Sequence, residues 1–231
     1  MLWHMLGGGY KGSTYTNSID ALNANSKLYR LFEIDFSWTS DGNLVCLHDW
    51  DHSFQRSFNI KPSGKKSLSE FLSLVKNHSS VEKCTLDSLV SWLKKNQHAR
   101  IVTDVKEENI RALEKIIKEY PGMINQFVPQ VYHPHEYYKA KILGFQDVIW
   151  TLYAFSGSDE TVLSDIQNMD LFALTMPRDR AERGLARRAN ESTGVLSYVH
   201  TINSQLEMDR YLQLGAHQIY TDFLPQPFKH P

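Results

Sequence analysis

The feature that most constrains the fold is an alternation of short apolar runs with segments of helical spacing, which continues along nearly all 231 residues. Strands that alternate with helices in this way indicate a parallel sheet, and eight such units indicate that the sheet closes on itself. We therefore predict an α/β fold, a (β/α)8 TIM barrel, with a doubly wound open sheet as the structural alternative. The predicted strands span residues 2–6, 31–38, 100–106, 127–132, 147–152, 171–176, 195–200 and 218–222.

The helical segments follow the strands, and no linker or low-complexity stretch divides the chain. We therefore predict one domain over residues 1–231. A further extended run, residues 44–48, and a polar, irregular stretch, residues 53–66, interrupt the alternation after the second strand. The predicted helices span residues 17–27, 68–76, 86–95, 108–120, 134–143, 159–168, 178–189 and 204–214.

Composition excludes several classes of protein. With 42% hydrophobic and 22% charged residues, the chain has the make-up of a soluble globular protein, and no apolar run is long enough to span a bilayer. The formal net charge of -1 gives no reason to expect a nucleic-acid partner. The first six residues lack the charged start of a signal peptide, so none is predicted.

The chain has two cysteines, Cys46 and Cys84. Cys46 lies in the apolar run Leu44-Val45-Cys46-Leu47, which is typical of a buried small hydrophobic residue. Two cysteines in a chain of this length do not make a disulfide framework. We therefore predict a reducing compartment and a cytoplasmic location.

Two carboxylates share one face of the second predicted strand. In Phe32-Glu33-Ile34-Asp35-Phe36, side chains alternate between faces, so Glu33 and Asp35 point one way and the apolar residues the other. In a barrel, the apolar face belongs under the helices, and the carboxylates then project into the barrel mouth. Two like charges in a confined site are costly unless one is protonated or a cation lies between them. Hard cations bind through oxygen ligands of this kind.

The third predicted strand repeats the pattern, since Asp104 and Lys106 share one face. Asp104 is a candidate third ligand for a metal, and Lys106 places a positive charge beside it that suits a phosphate oxygen. The alternative is a structural ion pair between Asp104 and Lys106. The position of both strands' polar residues at carboxyl ends, where barrels carry their chemistry, favours the functional interpretation.

Two of the ten histidines stand apart by position. His4 lies in the first predicted strand, before Gly7-Gly8-Gly9, and His48 ends the extended run after the second. Both are expected to overhang the same mouth, where a pair of imidazoles can serve as general base and general acid. Structural roles remain the alternative for both. His200, which ends a strand, is a weaker candidate for lining the mouth.

The order and spacing of these residues resemble those of the glycerophosphodiester phosphodiesterase family. That family's pattern runs His-Arg-Gly, Glu-Asn-Thr, Glu-x-Asp, Thr-x-Asp-Gly and His-Asp, followed later by Glu-x-Lys and Thr-Asp. The phosphatidylinositol phospholipase C and spider sphingomyelinase D groups share parts of this layout. The matching segments here are His4 and the glycine-rich turn after it, Asn17-Ser18, Glu33-Ile34-Asp35, Thr39-Ser40-Asp41-Gly42, His48-Asp49, Asp104-Val105-Lys106 and Tyr220-Thr221-Asp222.

The resemblance implies a metal-dependent phosphoric diester hydrolase. It implies that Glu33, Asp35 and Asp104 bind one divalent cation, Mg²⁺ or Ca²⁺. It implies that His4 and His48 are the catalytic acid/base pair. The substrate is then a small-molecule or lipid-derived phosphodiester with a glycerol or polyol group.

The resemblance also implies a small insertion after strand two, residues 53–86, that caps the mouth. One departure is that the family's arginine after the first histidine is Met5 here, which removes a bidentate phosphate contact. Lys106 and Lys11 are then the candidates that neutralise the phosphate. Trp150 is the further substrate-binding candidate, taken from a group that barrel packing explains equally well: Gln130, Tyr132, Trp150 and Tyr153.

Three other functions stay open. One is a barrel that binds phosphate ligands without catalysis, and another is a sphingomyelinase D-like or phospholipase-like lyase that acts on lipid phosphodiesters. The third is an isomerase or aldolase that uses Lys106 as a Schiff-base lysine, although Asp104 beside it argues against a neutral amine. Hydrolysis of bis(p-nitrophenyl) phosphate and glycerophosphodiesters, with and without Mg²⁺ or Ca²⁺, separates them.

Overall fold

Eight parallel strands pair in a closed ring. The computed structural model describes residues 9–224, together with the backbone of residues 5–6. Strand β1 pairs with both β2 and β9, which closes the sheet and excludes the open-sheet alternative. The ring consists of β1 (Met5–Leu6), β2 (Leu31–Trp38), β4 (Arg100–Val105), β5 (Phe127–Val131), β6 (Ile149–Thr151), β7 (Ala173–Pro177), β8 (Ser197–His200) and β9 (Gln218–Thr221). The predicted barrel is confirmed.

Helices follow the strands around the outside, and within residues 9–224 none has the length and apolar character needed to cross a bilayer. Serine and threonine caps begin several of them: Ser18, Thr85 and Ser158 each accept a backbone N–H of the first turn. The helices are α1 (Ile19–Asn25), α2 (His52–Phe58), α3 (Leu68–His78), α4 (Leu86–Lys95), α5 (Asn109–Glu119), α6 (Pro134–Ile142), α7 (Asp159–Asp165), α8 (Arg178–Glu182), α9 (Leu185–Thr193) and α10 (Gln205–Gln213).

One helix predicted over 178–189 is in fact two. Gly184 has a φ of 81° and separates α8 from α9. A residue with positive φ cannot continue a right-handed helix, and glycine adopts that conformation at the least cost. Before this break, Arg180 of α8 is buried and pairs with the buried carboxylate of Asp159 at 2.7 Å.

The core has two layers, as the alternation of side chains along the strands predicts. Phe32, Ile34 and Phe36 of β2 belong to the large apolar cluster between the sheet and the helices. A smaller cluster, which includes Leu31 and Val102, fills the lower barrel interior. The inward positions nearer the carboxyl ends of the strands are polar, so the mouth of the barrel opens above an apolar floor.

The segment predicted to be irregular, residues 53–66, contains helix α2. Phe54 and Phe58 lie one turn apart on it and are both buried. They pack with Trp50 and with Phe71 of α3 in a separate small core. Polar residues cover the other face, which is why the sequence of this segment looks irregular. The insertion was predicted over residues 53–86, and from here on the name refers to residues 47–85, which lie between β3 and α4 and contain α2 and α3.

Cys46 is buried, as its apolar run predicts, but its disulfide with Cys84 was not predicted from the sequence. Strand β3 (Leu44–Cys46) runs antiparallel to β2 and carries Cys46 to the neck of the insertion. Cys84 returns there from the other side, and its carbonyl accepts the backbone N–H of Cys46 at 2.7 Å. Both residues are fully buried, so the disulfide joins the two chain segments that connect the insertion to the barrel.

Candidate active site

The carboxyl ends of the strands surround a polar cavity of about 230 Å³, which we call the mouth cavity. Strands β2, β4, β5, β6, β8 and β9 each contribute to it, as does the loop before α1. Its lining includes three carboxylates and two histidines. The lining residues are Tyr15, Glu33, Asp35, His48, Asp104, Gln130, Thr151, Tyr153, His200, Thr201 and Tyr220.

The carboxylates of Glu33, Asp35 and Asp104 lie together as the strand pattern predicts. Asp35 and Asp104 are directly paired in the register of β2 and β4, so their side chains face the cavity side by side. Asn17 fixes Asp35 from the loop before α1. Its amide nitrogen donates to Asp35 Oδ2 at 2.8 Å, and its amide oxygen accepts the Asp35 backbone N–H at 3.0 Å.

Burial raises the pKa of Glu33 well above its ordinary value, and the neighbouring charges of Asp104 and Asp35 raise it further. Burial also raises the pKa of Asp104, with the charge of Asp35 as the second cause. Lys106 acts in the opposite direction on both carboxyls. The site therefore has an excess of negative charge that Lys106 alone does not balance.

Lys106 lies between two of these carboxylates, since its Nζ is 3.2 Å from Asp35 Oδ1 and 3.4 Å from Asp104 Oδ2. Burial alone lowers the pKa of Lys106, but Asp35 and Asp104 outweigh it and raise the pKa above the ordinary value. Among the residues that the structure describes, no group of three or more His, Cys, Asp and Glu side chains has the arrangement of a finished metal site. The uncompensated oxygen donors nevertheless have the chemistry that a hard divalent cation requires.

Hydrogen bonds from β5, the strand next to β4, and from the segments that follow β5 and β6 also hold the carboxylates. The hydroxyl of Tyr132 donates to Asp104 Oδ1, and that of Tyr153 lies 3.3 Å from the same oxygen. Gln130 donates its amide to Glu33 Oε1 at 3.4 Å. The amide oxygen of Gln130 accepts the hydroxyl of Tyr220 at 2.9 Å. These contacts fix the orientation of the acidic groups.

His48 follows β3 at the edge of the mouth, with its ring 34% exposed as a side chain. Its Nδ1 lies 2.7 Å from Asp49 Oδ2, which leaves Nε2 available to a ligand. Burial by itself raises the pKa of Asp49, but hydrogen bonds from Ser53 and His48 hold it below its usual range. An ionised Asp49 therefore orients the imidazole, an arrangement suited to proton exchange.

His200 ends β8 and lies between the rings of Tyr153 and Tyr220, whose centroids are each 6.0 Å from its own. Burial lowers the pKa of His200 to about 4, against a smaller opposing effect of Asp179. Its buried Nε2 has no hydrogen-bond partner within the described part of the chain. His200 therefore presents a neutral imidazole with one unused ring nitrogen at the mouth cavity.

We expect His200 to make the fold sensitive to mild acid. Between pH 6.5 and about 4, the unfolded chain binds a proton on this imidazole that the folded chain does not, so stability falls with pH. The loss is on the order of 2 kcal/mol. Urea denaturation of wild type and His200→Phe near pH 7 and about pH 4.5 measures it. The variant should lose less stability on acidification.

The exposed His78 in α3 provides the control for that measurement, since His78→Phe removes an imidazole whose environment is solvent. His78→Phe should lose as much stability on acidification as wild type. If His200→Phe also behaves like wild type, the buried imidazole is not the acid-sensitive group.

The other predicted site residues are placed less centrally. His4 lies outside the described residues. Lys11 lines a neighbouring cavity and not the mouth. Trp150 is fully buried between sheet and helices, and its Nε1 donates to the carbonyl of Tyr132 at 3.2 Å. Its neighbours Ile149 and Thr151 point inward, so we leave Trp150 out of the proposed site.

Sequence reasoning did not identify several lining residues, among them Tyr15, Thr151 and Tyr220. A signal for two of them was present: Thr151 follows inward-facing Ile149 by two positions, and Tyr220 lies in a strand that ends next to the Thr-Asp motif. Tyr15 lies in a loop, where no strand alternation predicts direction.

Comparison with known protein families gives one match. Residues 8–156 match the model of the glycerophosphoryl diester phosphodiesterase family. That segment contains the acidic residues of β2 and β4, the His48–Asp49 pair and the insertion. A comparison with curated protein sequences finds no significant match.

Solved structures with the same fold include several glycerophosphodiester phosphodiesterases. The enzyme from Thermotoga maritima has a TM-score of 0.74 at 19% identity, with 96% of this chain and 95% of that chain covered. One from Parabacteroides distasonis has a TM-score of 0.72 at 18% identity, covering 95% and 92%. A phosphodiesterase from Oleispira antarctica, in complex with the product sn-glycerol-3-phosphate, has a TM-score of 0.70 at 14% identity, covering 96% and 93%.

Proposed function

Because this chain belongs to the glycerophosphoryl diester phosphodiesterase family, it is a phosphoric diester hydrolase, and we propose that its mouth cavity hydrolyses a glycerophosphodiester or a similar polyol phosphodiester. The observation that carries the proposal is that His48, hydrogen-bonded to Asp49, lines one small cavity together with three carboxylates, two of which form ion pairs with Lys106. The product bound by the Oleispira antarctica phosphodiesterase, sn-glycerol-3-phosphate, supports a glycerol-containing substrate. We also propose that the chain forms one barrel domain and that the insertion is part of it.

Within the proposed reaction, His48 exchanges a proton with the substrate through Nε2 while Asp49 holds Nδ1. Lys106 contributes positive charge at the phosphate, since its ammonium already lies at the edge of the acidic group. His200 donates or accepts a hydrogen bond at a substrate oxygen through its unused Nε2. His4 is the proposed second member of the acid/base pair.

A single divalent cation, Mg²⁺ or Ca²⁺, is the proposed cofactor, and Glu33, Asp35 and Asp104 would hold it. When bound, it supplies Lewis acidity that stabilises negative charge on a phosphate oxygen. The support is the crowding of three carboxyl groups in one cavity, where burial first and the neighbouring carboxylate charges second raise the pKa values of Glu33 and Asp104. Tyr132 and Gln130 then act as partners that orient the ligands.

We expect Glu33→Gln to weaken Mg²⁺ binding by roughly 10–100-fold or more. Removal of a residue that only orients a metal ligand already costs about that much, and Glu33 is a proposed ligand itself. Calorimetric titration of chelator-treated protein with Mg²⁺ and with Ca²⁺ measures the affinity. Glu114→Gln, on the outer helix α5, is the matched control and should bind like wild type. Equal affinity in wild type and Glu33→Gln rules out the metal proposal.

Hydrolysis tests the function itself. We expect glycerophosphodiesters to yield a phosphomonoester and an alcohol in the presence of Mg²⁺ or Ca²⁺, and chelation to reduce the rate. Binding of these diesters without turnover in any metal would favour the non-catalytic barrel. A cyclic phosphate that forms by attack of a substrate hydroxyl and is then hydrolysed to the phosphomonoester fits the hydrolase. A cyclic phosphate that accumulates as the final product would favour the lyase.

The cytoplasmic location stays a prediction, and one of its arguments no longer applies. A disulfide between Cys46 and Cys84 is typical of proteins in an oxidising compartment. The disulfide therefore favours such a compartment over the cytoplasm.

A further inference from the structure

A second polar cavity, of about 520 Å³, lies beside the mouth cavity, and we call it the side cavity. Its walls come from residues 10–16, from α2 and from residues 79–83. Tyr15 lines both cavities, so the two cavities adjoin at this side chain. The proposed hydrolysis assigns no role to this space.

The side cavity contains a buried lysine. Lys83 is only 6% exposed, and its Nζ donates to the backbone carbonyl of Thr16 at 2.6 Å. Burial, together with the nearby charge of Arg56, lowers the pKa of Lys83 to about 8, while Asp35 opposes this change. Lys83 is therefore still charged at neutral pH.

Within residues 9–224, no ion pair joins either cation, Lys83 or Arg56, to a carboxylate. The buried charge of Lys83 is costly unless it is paired, and the charge of the exposed Arg56 nearby increases that cost. An anion bound between the two side chains would remove it, just as a cation would relieve the clustered carboxylates of the mouth.

The rest of the wall fits the same ligand. Lys11 adds a third cationic side chain, and Ser13, Thr14 and Ser80 add hydroxyl groups. Among the described lining residues, Asp20 is the only carboxylate, and its Oδ2 already accepts the backbone N–H of Glu82 at 2.6 Å. A group with several acceptor oxygens and more than one negative charge matches this set.

The position of Lys83 does not depend on a ligand. Lys83 pairs with Ser18 in an isolated β-bridge, and the next residue is the disulfide-bonded Cys84. The backbone carbonyl of Thr16 accepts the hydrogen bond from the Lys83 ammonium. The next residue, Asn17, donates its amide to Asp35 in the mouth cavity. The cation of the side cavity is thus fixed relative to the acidic group of the mouth cavity.

We propose that the side cavity binds a second anionic group of the substrate, a phosphomonoester carried on the alcohol part of the diester, between Arg56 and Lys83. This inference rests on the proposed phosphodiesterase activity and names a substrate class for it. The enzyme would then prefer phosphorylated polyol diesters over the same diesters without the additional phosphate.

A matched pair of substrates tests this preference: glycerophosphoinositol and glycerophosphoinositol 4-phosphate differ by one phosphomonoester. We expect wild type to have the higher kcat/KM on the phosphorylated diester. Arg56→Gln should reduce that kcat/KM roughly tenfold, the usual loss for one hydrogen bond to a charged group. Its kcat/KM on glycerophosphoinositol should be unchanged, and Lys118→Gln, on the exposed face of α5, should resemble wild type on both.

Calorimetry with glycerophosphoinositol 4-phosphate and with inorganic phosphate separates the possible outcomes. Tighter binding of the diester, lost in Arg56→Gln and in Lys83→Met, supports the proposal. Equal kcat/KM on the two diesters overturns the proposal, and an Arg56-dependent affinity for inorganic phosphate would then identify the side cavity as a site for the free ion.

If neither diester is cleaved, the proposed phosphodiesterase function fails. Arg56-dependent binding of the phosphorylated diester would still support the side cavity as an anion site, and the absence of such binding would overturn that inference as well.

Discussion

Replacing His48 with alanine lowers the turnover of a glycerophosphodiester with an alkyl leaving group by roughly 10²–10⁴-fold, the range that one general acid or base contributes. The reason is positional, since Nδ1 of His48 is held by Asp49 and the residue lines the mouth cavity, with Nε2 left for the substrate. Steady-state rates at saturating substrate measure the effect. His52→Ala, four positions away on the exposed start of α2, should keep wild-type turnover.

The leaving group distinguishes the two possible roles of His48. A nitrophenolate leaves without protonation, so the effect of His48→Ala should shrink on bis(p-nitrophenyl) phosphate if His48 is the acid. An undiminished effect on that substrate assigns His48 as the base. Near-wild-type turnover of His48→Ala on the alkyl diester contradicts a catalytic role altogether.

Loss of the disulfide lowers the free energy of unfolding by about 4 kcal/mol on the chain-entropy estimate. Cys46 and Cys84 are 38 positions apart, so the closed loop is long and its constraint on the unfolded chain is large. For a chain of this length, such a loss corresponds to a decrease in Tm of roughly 8–16 °C. Differential scanning calorimetry of wild type and of the double variant Cys46→Ala/Cys84→Ala measures it.

Two controls separate the crosslink from the packing of the sulfur atoms. Wild type treated with a reductant loses the crosslink but keeps both sulfurs, and it should show most of the decrease in Tm. The reduced double variant should melt at the same temperature as the untreated one. A reduced wild type that melts like the oxidised protein contradicts a stabilising role for the disulfide.

Alternation along the strands predicted most of the fold and the acidic half of the site. Strand β2 has the same bounds in the sequence prediction and in the structure, because its apolar residues face the helices and its carboxylates face the mouth. Asp35 and Asp104 could be placed together because parallel strands bring equivalent ends to one edge of the barrel. His48 was located by its position at the end of a strand.

Features that depend on contacts between distant segments could not be predicted in this way. The pairing of Cys46 with Cys84 leaves no local pattern, because the two residues meet only when the insertion folds back on its own start. Helix α2 is short, and its apolar residues Phe54 and Phe58 pack only against the small core of the insertion. Two apolar positions are too few to give a helical pattern in the sequence. Trp150 was predicted to bind substrate, but its side chain lies between the sheet and the helices. A shift of one position along β6 decides whether a side chain points inward, and the inward residue here is Thr151.

The crosslinked neck of the insertion has a consequence for how ligands enter. A segment that covers an active site can open and close when the two chain segments that connect it to the domain change their backbone dihedrals independently. Here those segments are tied by the Cys46–Cys84 bond, by the hydrogen bond between their backbones and by the pairing of Val45 with Thr85. The rim of the cavity is thus set during folding, so ligand association should be limited by diffusion and not by a slow gating step.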